Sequence, residues 1–479
     1  MGIKKELAKS SISAYLVLFA NLISGFLFQT IVLRYLKPEE AGFYFTFLSI
    51  AYLLNMILNF GVVSGLQYFL PKGNDKKIYL STAFIYSLLS SSLIGLLIFL
   101  INIKTPYALL TAISATNMLL AGSLLTILHL IKSFKFRTFT AFIQGIIKLS
   151  VVIISFATVG FNLVYALLAL FISTFSTTTL SIYKLIKEKL LSLTFSKSHL
   201  VDLIKIGFPL YLVTMSESVL GWVDTFFLSI FKGNVDVAEY NAVLTIIKNT
   251  FVIVIPMLAF SALPIITPLT KEKRKRVDMW LFKIGILFTL FILFYFFYTS
   301  YDIINILYPK YLNAVDLLLF GLICFLPLPI AKFMMRMSIA DGKTNHLTIP
   351  ALLLILFNIL LNYLLIPYFG PFGALMATGF SILIFTIGIL KGHKYFLPSV
   401  KWIIRYTIIL ALSFIISSNI FNKVGNVFME KLIVFFIKSI LFLLAFLVLC
   451  LIGSAKEDKR MISNLVKEGL TFFKNRFNK

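Results

Sequence analysis

Acidic side chains are scarce in this chain, with 19 Asp and Glu among 479 residues against 44 Lys and Arg. Charged residues of both signs make up 13% of the sequence, roughly half the share found in soluble domains. That is too few to coat the several domains a soluble chain of this length would form, which excludes the soluble enzyme and soluble binding-module classes. Cysteine is nearly missing too. The two present, Cys324 and Cys450, lie inside apolar runs, so two free thiols and no disulfide framework are expected. His129 has no second His or Cys at ligand spacing, so no metal site is expected. Gly342, Lys343 and Thr344 resemble the end of a phosphate-binding loop, but Met337 stands where the first glycine is needed and no strand precedes it. No cofactor is expected.

What is abundant is apolar sequence, 59% of the chain at a mean hydropathy of +0.97. A spanning helix needs about 20 mainly apolar residues. Fourteen such runs occur, at about 12–33, 41–69, 79–101, 107–131, 139–159, 163–183, 206–230, 240–267, 278–299, 314–339, 347–366, 373–390, 402–421 and 431–453. The segments between them form two alternating sets, one holding 29 Lys and Arg and the other 7. By the positive-inside rule the richer set, both termini included, faces the cytoplasm of a cell-membrane protein. The net charge of +25 therefore orients the chain, and no nucleic-acid partner is expected. The first run is too long for a secretion signal and is expected to remain as a helix. The tail from Lys456 to Lys479 sets Ile462, Leu465, Val466, Leu470, Phe473 and Phe477 at helical spacing among basic residues, as expected of a segment on anionic lipids at the cytoplasmic face.

Offset by 196 residues, the first two runs superpose on the seventh and eighth without a gap, with seven identities in 36 positions. Among them are Gly25 with Gly221 and Tyr44 with Tyr240. Six spans separate the copies, so both start on the same side, as parallel repeats around an axis along the membrane normal. The expected fold is an all-α polytopic membrane protein of about 14 transmembrane helices. Residues 1–200 and 201–400 form two six-helix lobes, 401–453 two additional helices, and 454–479 a basic amphipathic tail.

Four stretches carry a family resemblance. They are RYLKPEEAGFYF from Arg34 to Phe45, LYPKYLNA from Leu307 to Ala314, IADGKTNH from Ile339 to His346, and NYLLIPYFGPFGALMATGFS from Asn362 to Ser381. In order and spacing they resemble the outer and inner turns of the Wzx-type polysaccharide and O-antigen flippases of the multidrug, oligosaccharidyl-lipid and polysaccharide (MOP) exporter superfamily. The resemblance implies a carrier, not an enzyme, that moves a glycan linked to a polyprenyl pyrophosphate lipid from the inner to the outer leaflet by alternating access, coupled to H+ or Na+. A drug-exporting antiporter of the same superfamily is the first alternative. The second is a polytopic glycosyltransferase with a lipid-phosphate donor, for which Glu39 and Glu40 supply acids in the first outer loop.

Ionisable groups deep in a span cost about 2.5 to 3.5 kcal/mol on insertion scales, so those retained should face protein or water. Lys205, Lys283, Arg336 and Arg405 lie near the inner surface and can snorkel. The candidates for a substrate cavity are Glu217, Asp224, Lys248, Lys148, Lys332 and Asn21, the cations attracting pyrophosphate or acidic sugars. Glu217 and Asp224 are seven apart, which in a regular helix puts them on one face. Asp224 and Lys248 fall at similar depth and are expected to be able to pair, leaving Glu217 as the candidate proton carrier. Arg34 is an outer-gate candidate, and Lys438, outside the repeat, is expected to be structural or lipid-facing.

Overall fold

The computed structural model describes residues 20, 24–72, 75–192, 194–251, 271–340, 345–390, 400–421, 424, 425 and 427–453. The chain is all-helical among them. Helix α1 covers 24–35, followed by α2 (Pro38–Leu58), α3 (Val62–Phe69), α4 (Lys76–Ile101), α5 (Ala108–Leu130), α6 (Phe134–Thr158) and α7 (Leu163–Lys187). Then come α8 (Lys197–Phe231), α9 (Asn234–Phe251), α10 (Lys271–Leu307), α11 (Val315–Phe325), α12 (Pro327–Ala340), α13 (Asn345–Leu390), α14 (Val400–Ile420) and α15 (Phe428–Gly453). Eleven described helical stretches are long and apolar enough to cross a membrane. One of them, Leu347–Leu390, has 44 residues and holds the expected spans 347–366 and 373–390, parted at Gly370. Parts of the runs at 12–33 and 240–267, Asn21 among them, and the basic tail lie outside the described residues.

The burial pattern is that of a protein whose solvent is lipid. Hydroxyl side chains turn inward, with Ser81 and Ser91 on α4, Thr111 and Ser114 on α5, and Ser173, Thr177 and Ser181 on α7 all buried. Large apolar ones turn outward, Ile153 at 67% exposed and Ile349 at 69%. In hydrocarbon nothing drives leucine inward, so small polar residues take the helix contacts, most of these bonding their own backbone or a neighbour, although Ser181 Oγ is buried without a partner. Ser114 Oγ, for example, donates to the Leu167 carbonyl at 3.4 Å.

Local chemistry sets the helix ends. Pro38 opens α2, and the Glu40 carboxylate accepts from the Lys37 backbone N–H at 3.3 Å. Asn162 caps α7 by accepting from Tyr165 N–H at 3.3 Å. Among the described residues two long helices break, α8 inside an expected span and α13 between two of them. In α8 Leu220 has ψ 109° and Gly221 is left-handed at φ 93°; in α13 Gly370 has φ 53°, flanked by Pro367 and Pro371.

Packing divides the chain into two units. The first takes in Met1–Val277 and Asp316–Lys394, the second Asp278–Val315 and Tyr395–Lys479. Within the first, α8 packs along α13, α2 and α3, and α2 also lies against α9. Gly42 and Asn234 set that last approach, since a Cβ at 42 would overlap the Asn234 backbone, while Thr46 Oγ1 donates to Asn234 Oδ1 at 3.3 Å. Within the second, α14 packs on α15, and Tyr298 Oη donates to the carbonyls of Ser417, at 2.9 Å, and Phe421. Lys438 is buried there as a structural group, its ammonium 2.7 Å from the Asp302 carboxylate, with both side chains under 5% exposed (4% and 2%).

Candidate functional site

The break in α8 builds the site. A left-handed residue at 221 suits glycine, and a Cβ there would also require the ends of the Lys248 and Leu244 side chains to shift, lying 2.5 Å from Lys248 Nζ and 2.6 Å from Leu244 Cδ2. The freed Gly221 carbonyl accepts from Thr225 Oγ1 at 2.6 Å. One turn past the break Asp224 is fully buried. The hairpin at Gly370 supplies most of its partners by folding the second arm of α13 back on the first. Asn362 Nδ2 donates to Asp224 Oδ1 at 2.7 Å, Asn358 Nδ2 to the same oxygen at 3.4 Å, and Thr378 Oγ1 to Oδ2 at 2.7 Å. Tyr240 Oη, from α9, also donates to Oδ2. Asn358 and Thr378 are joined at 3.1 Å, and Asn362 Nδ2 also reaches the Asn358 carbonyl at 2.9 Å. The Asn362 Oδ1 atom is buried without a hydrogen-bond partner.

The expected pairing of Asp224 with Lys248 is not what the geometry shows. No ion pair within 4 Å joins them; they interact at longer range, as Lys248 does with Lys332. Four neutral donors fill the coordination sphere of the carboxylate, so it has no open edge for an ammonium. Lys248 is half-buried with its Nζ 5.1 Å from the centroid of the Trp222 ring, which stacks on Tyr52 at 4.5 Å. Lys332, on α12, is 9% exposed.

The break also corrects the shared face of Glu217 and Asp224. A left-handed residue between them interrupts the helical progression, so seven-residue spacing no longer aligns them. The Glu217 side chain and Asn21 lie outside the described residues. Lys148, on α6, is half-buried, its Nζ 5.4 Å from the Phe28 ring centroid. Arg34 ends α1 with its guanidinium carbon 5.9 Å from the Tyr35 centroid. Asp224, Lys248 and Lys332 thus form one neighbourhood, while Lys148 and Arg34 sit on other elements. No group of three or more His, Cys, Asp or Glu disposed to hold a metal occurs among the described residues.

Sequence reading missed Tyr240, Asn358, Asn362 and Thr378 as site residues. Signals existed. Asn358 and Asn362 stand four apart in an otherwise apolar run, the mark of one buried helix face, and Tyr240 is an identity of the internal repeat.

The fold has relatives among solved structures. It is similar to "Lipid II flippase MurJ, inward closed conformation" over 92% of this chain and 98% of that one, with a TM-score of 0.69 at 16% identity. It is also similar to an outward-facing "multidrug resistance MATE family transporter of the MOP superfamily", at a TM-score of 0.54 and 15% identity over 82% and 96% of the two chains. A MOP superfamily transporter from Pyrococcus furiosus gives 0.54 at 16% identity over the same shares of 82% and 96%. The architecture is thus that of MOP superfamily membrane proteins. A sequence relative, the uncharacterized membrane protein MJ1068 of Methanocaldococcus jannaschii, is 29% identical over 216 residues, 43% of this chain and 41% of that protein. The match therefore spans less than half the length of that relative. The family model described as "Polysaccharide biosynthesis protein" matches residues 7–270, more than half of the chain, and the chain belongs to that family.

Proposed function

We propose that this protein is a flippase that carries a glycan linked to a polyprenyl pyrophosphate lipid from the inner to the outer leaflet of the cell membrane, with both termini cytoplasmic. The observation that supports this best is the Asp224 cluster: a carboxylate buried at span depth, satisfied only by neutral donors, with Lys248 and Lys332 nearby. Charge at such depth is costly to retain and is kept where a moving ion or charged substrate uses it. The lysines supply attraction for a pyrophosphate, with Lys148 as a further cavity cation. Glu40 caps α2, which accounts for an acid in the first outer loop without chemistry on a donor sugar and favours transport over glycosyl transfer.

Asp224 is the proposed coupling group. A proton on it removes one acceptor site, so one of its four donors must turn away and the contacts between α8, α9 and α13 change. Na+ would instead draw on the oxygens of Asp224 and Thr378 and on the unsatisfied Asn362 Oδ1, the donor set a hard cation prefers. Either event changes the charge at the break in α8, where alternating access of two lobes requires a bistable element. The test is flipping of a fluorescent lipid-linked oligosaccharide in proteoliposomes under an imposed pH or Na+ gradient, with labelled drug export run in parallel. Stimulation by one gradient that disappears in Asp224→Asn supports the reading. Flipping by the Asp224→Asn protein that still follows the gradient overturns the coupling role, and drug export without glycolipid flipping overturns the substrate class.

A further inference from the structure

At four described helix ends the residue after the C-cap is a left-handed glycine or lysine, and which of the two it is differs by face. Positive φ at this position favours glycine. At the ends of α6 and α8 that residue is Gly160 (φ 84°) and Gly233 (φ 92°), on the face poor in Lys and Arg. At the ends of α5 and α7, on the basic face, it is Lys132 (φ 63°) and Lys189 (φ 55°). The two lysine ends share one pattern, Ser133 N–H reaching the Leu128 carbonyl and Leu190 N–H the Leu185 carbonyl, each at 3.0 Å, whereas at the glycine ends the glycine N–H itself bonds back five residues, Gly160 to Ser155 at 2.8 Å and Gly233 to Leu228 at 3.0 Å. A lysine in this conformation is strained where a glycine is not. Lysine thus stands at two left-handed positions where glycine would be easier.

Both lysine turns border one chamber. It has a volume of about 420 Å³, walled by Leu70, Leu80, Leu130 and Leu190, with Lys76 and Lys132 among its lining residues. Lys189 directly precedes Leu190. Lys76, Lys132 and Lys189 are all exposed, so cationic side chains rim an aliphatic interior where the helices meet the membrane surface. Charge attraction at the rim and a dry wall beneath suit an amphiphile with an anionic head. A helix C-terminus also favours a cation, but that preference is met by lysine anywhere in the last turn and does not require the left-handed position.

We propose that this chamber binds one anionic phospholipid of the leaflet on the basic face, its phosphate at Lys76, Lys132 and Lys189 and an acyl chain against the leucines. The proposal is independent of what the protein transports. It is tested on the full chain in nanodiscs of phosphatidylcholine with a minor share of phosphatidylglycerol, counting retained lipids by native mass spectrometry and measuring Tm in phosphatidylcholine alone. Lys132→Gly/Lys189→Gly should reduce phosphatidylglycerol retention about tenfold while Tm stays unchanged or rises, because strain is removed. Leu80→Trp, which fills the chamber without touching charge, should reduce retention similarly. Retention at the parent level in the glycine variant overturns the proposal. So does a lowered Tm of that variant in phosphatidylcholine, which would assign the lysines to the fold. Loss of the bound lipid to millimolar inorganic pyrophosphate would also overturn it, identifying the occupant as a bare diphosphate.

Discussion

Positions related by the 196-residue repeat carry opposite chemistry in the two halves. Phe28 and Tyr44 stand in the first half where Asp224 and Tyr240 stand in the second. The first pair meets edge to face, centroids 6.1 Å apart at 72°; the second is a phenol donating to a carboxylate. A cation accompanies each, Lys148 over Phe28 and Lys248 over Trp222. The glycines differ as well: nothing lies within 4 Å of a Cβ built on Gly25, whereas Gly221 is left-handed and pressed by Lys248. The two sets of positions thus differ in what they hold, an aromatic pair beside a lysine in one and a buried carboxylate in the other. On the proposed function, only the second half responds to an ion, and the first gives it something fixed to move against.

The sharpest way to break this comparison is Asp224→Asn, which keeps shape and removes charge. Flipping should fall about a hundredfold, equivalent to about 2.7 kcal/mol, with folded protein retained by size-exclusion chromatography. Wild-type flipping would make the two halves functionally equivalent. Next comes the glycine pair. Gly221→Ala forces a left-handed alanine against Lys248 and should cost about 1 to 3 kcal/mol, whereas Gly25→Ala should stay within about 0.5 kcal/mol. Thermal unfolding of both variants in one detergent checks the contrast, and equal losses would erase it. Tyr240→Phe removes a hydrogen bond to a carboxylate, for about 1.5 to 2 kcal/mol. Tyr44→Phe, in the apolar pair, should change stability by less than about 0.5 kcal/mol. The smallest expected effect is on transport by the lysine variants. Lys148→Ala and Lys248→Ala should each lower flipping of an anionic glycolipid about fivefold to tenfold, near 1 to 1.4 kcal/mol, and a neutral glycolipid much less. Equal losses on both substrates would point to packing on Phe28 and Trp222 in place of charge.

Much of the fold was legible because lipid enforces a simple rule: every backbone group is satisfied within its own helix, so length and apolarity alone mark a span. The Gly370 hairpin was readable for a related reason, since two prolines and a glycine in sequence stop a helix whatever surrounds it. The break at Gly221 was less visible. A single glycine in a span is common, and nothing in its local sequence marks the left-handed conformation it adopts here. Seven-residue spacing is subject to the same limit, since it aligns two residues only along an unbroken helix.

Ion pairing was the least legible feature. Equal depth suggested Lys248 for Asp224, but Asp224 took Tyr240, Asn358, Asn362 and Thr378, while in the second unit Lys438 joined Asp302 across 136 residues. Sequence by itself determined that this chain lives in a membrane, which segments are apolar enough to cross it and which carry the positive charge, because those properties are sums over local composition. Only the tertiary structure decided which buried carboxylate meets a cation and which meets neutral donors. A partner is chosen by direction and distance to within an ångström, and that is set by helix breaks and packing between residues far apart in the chain.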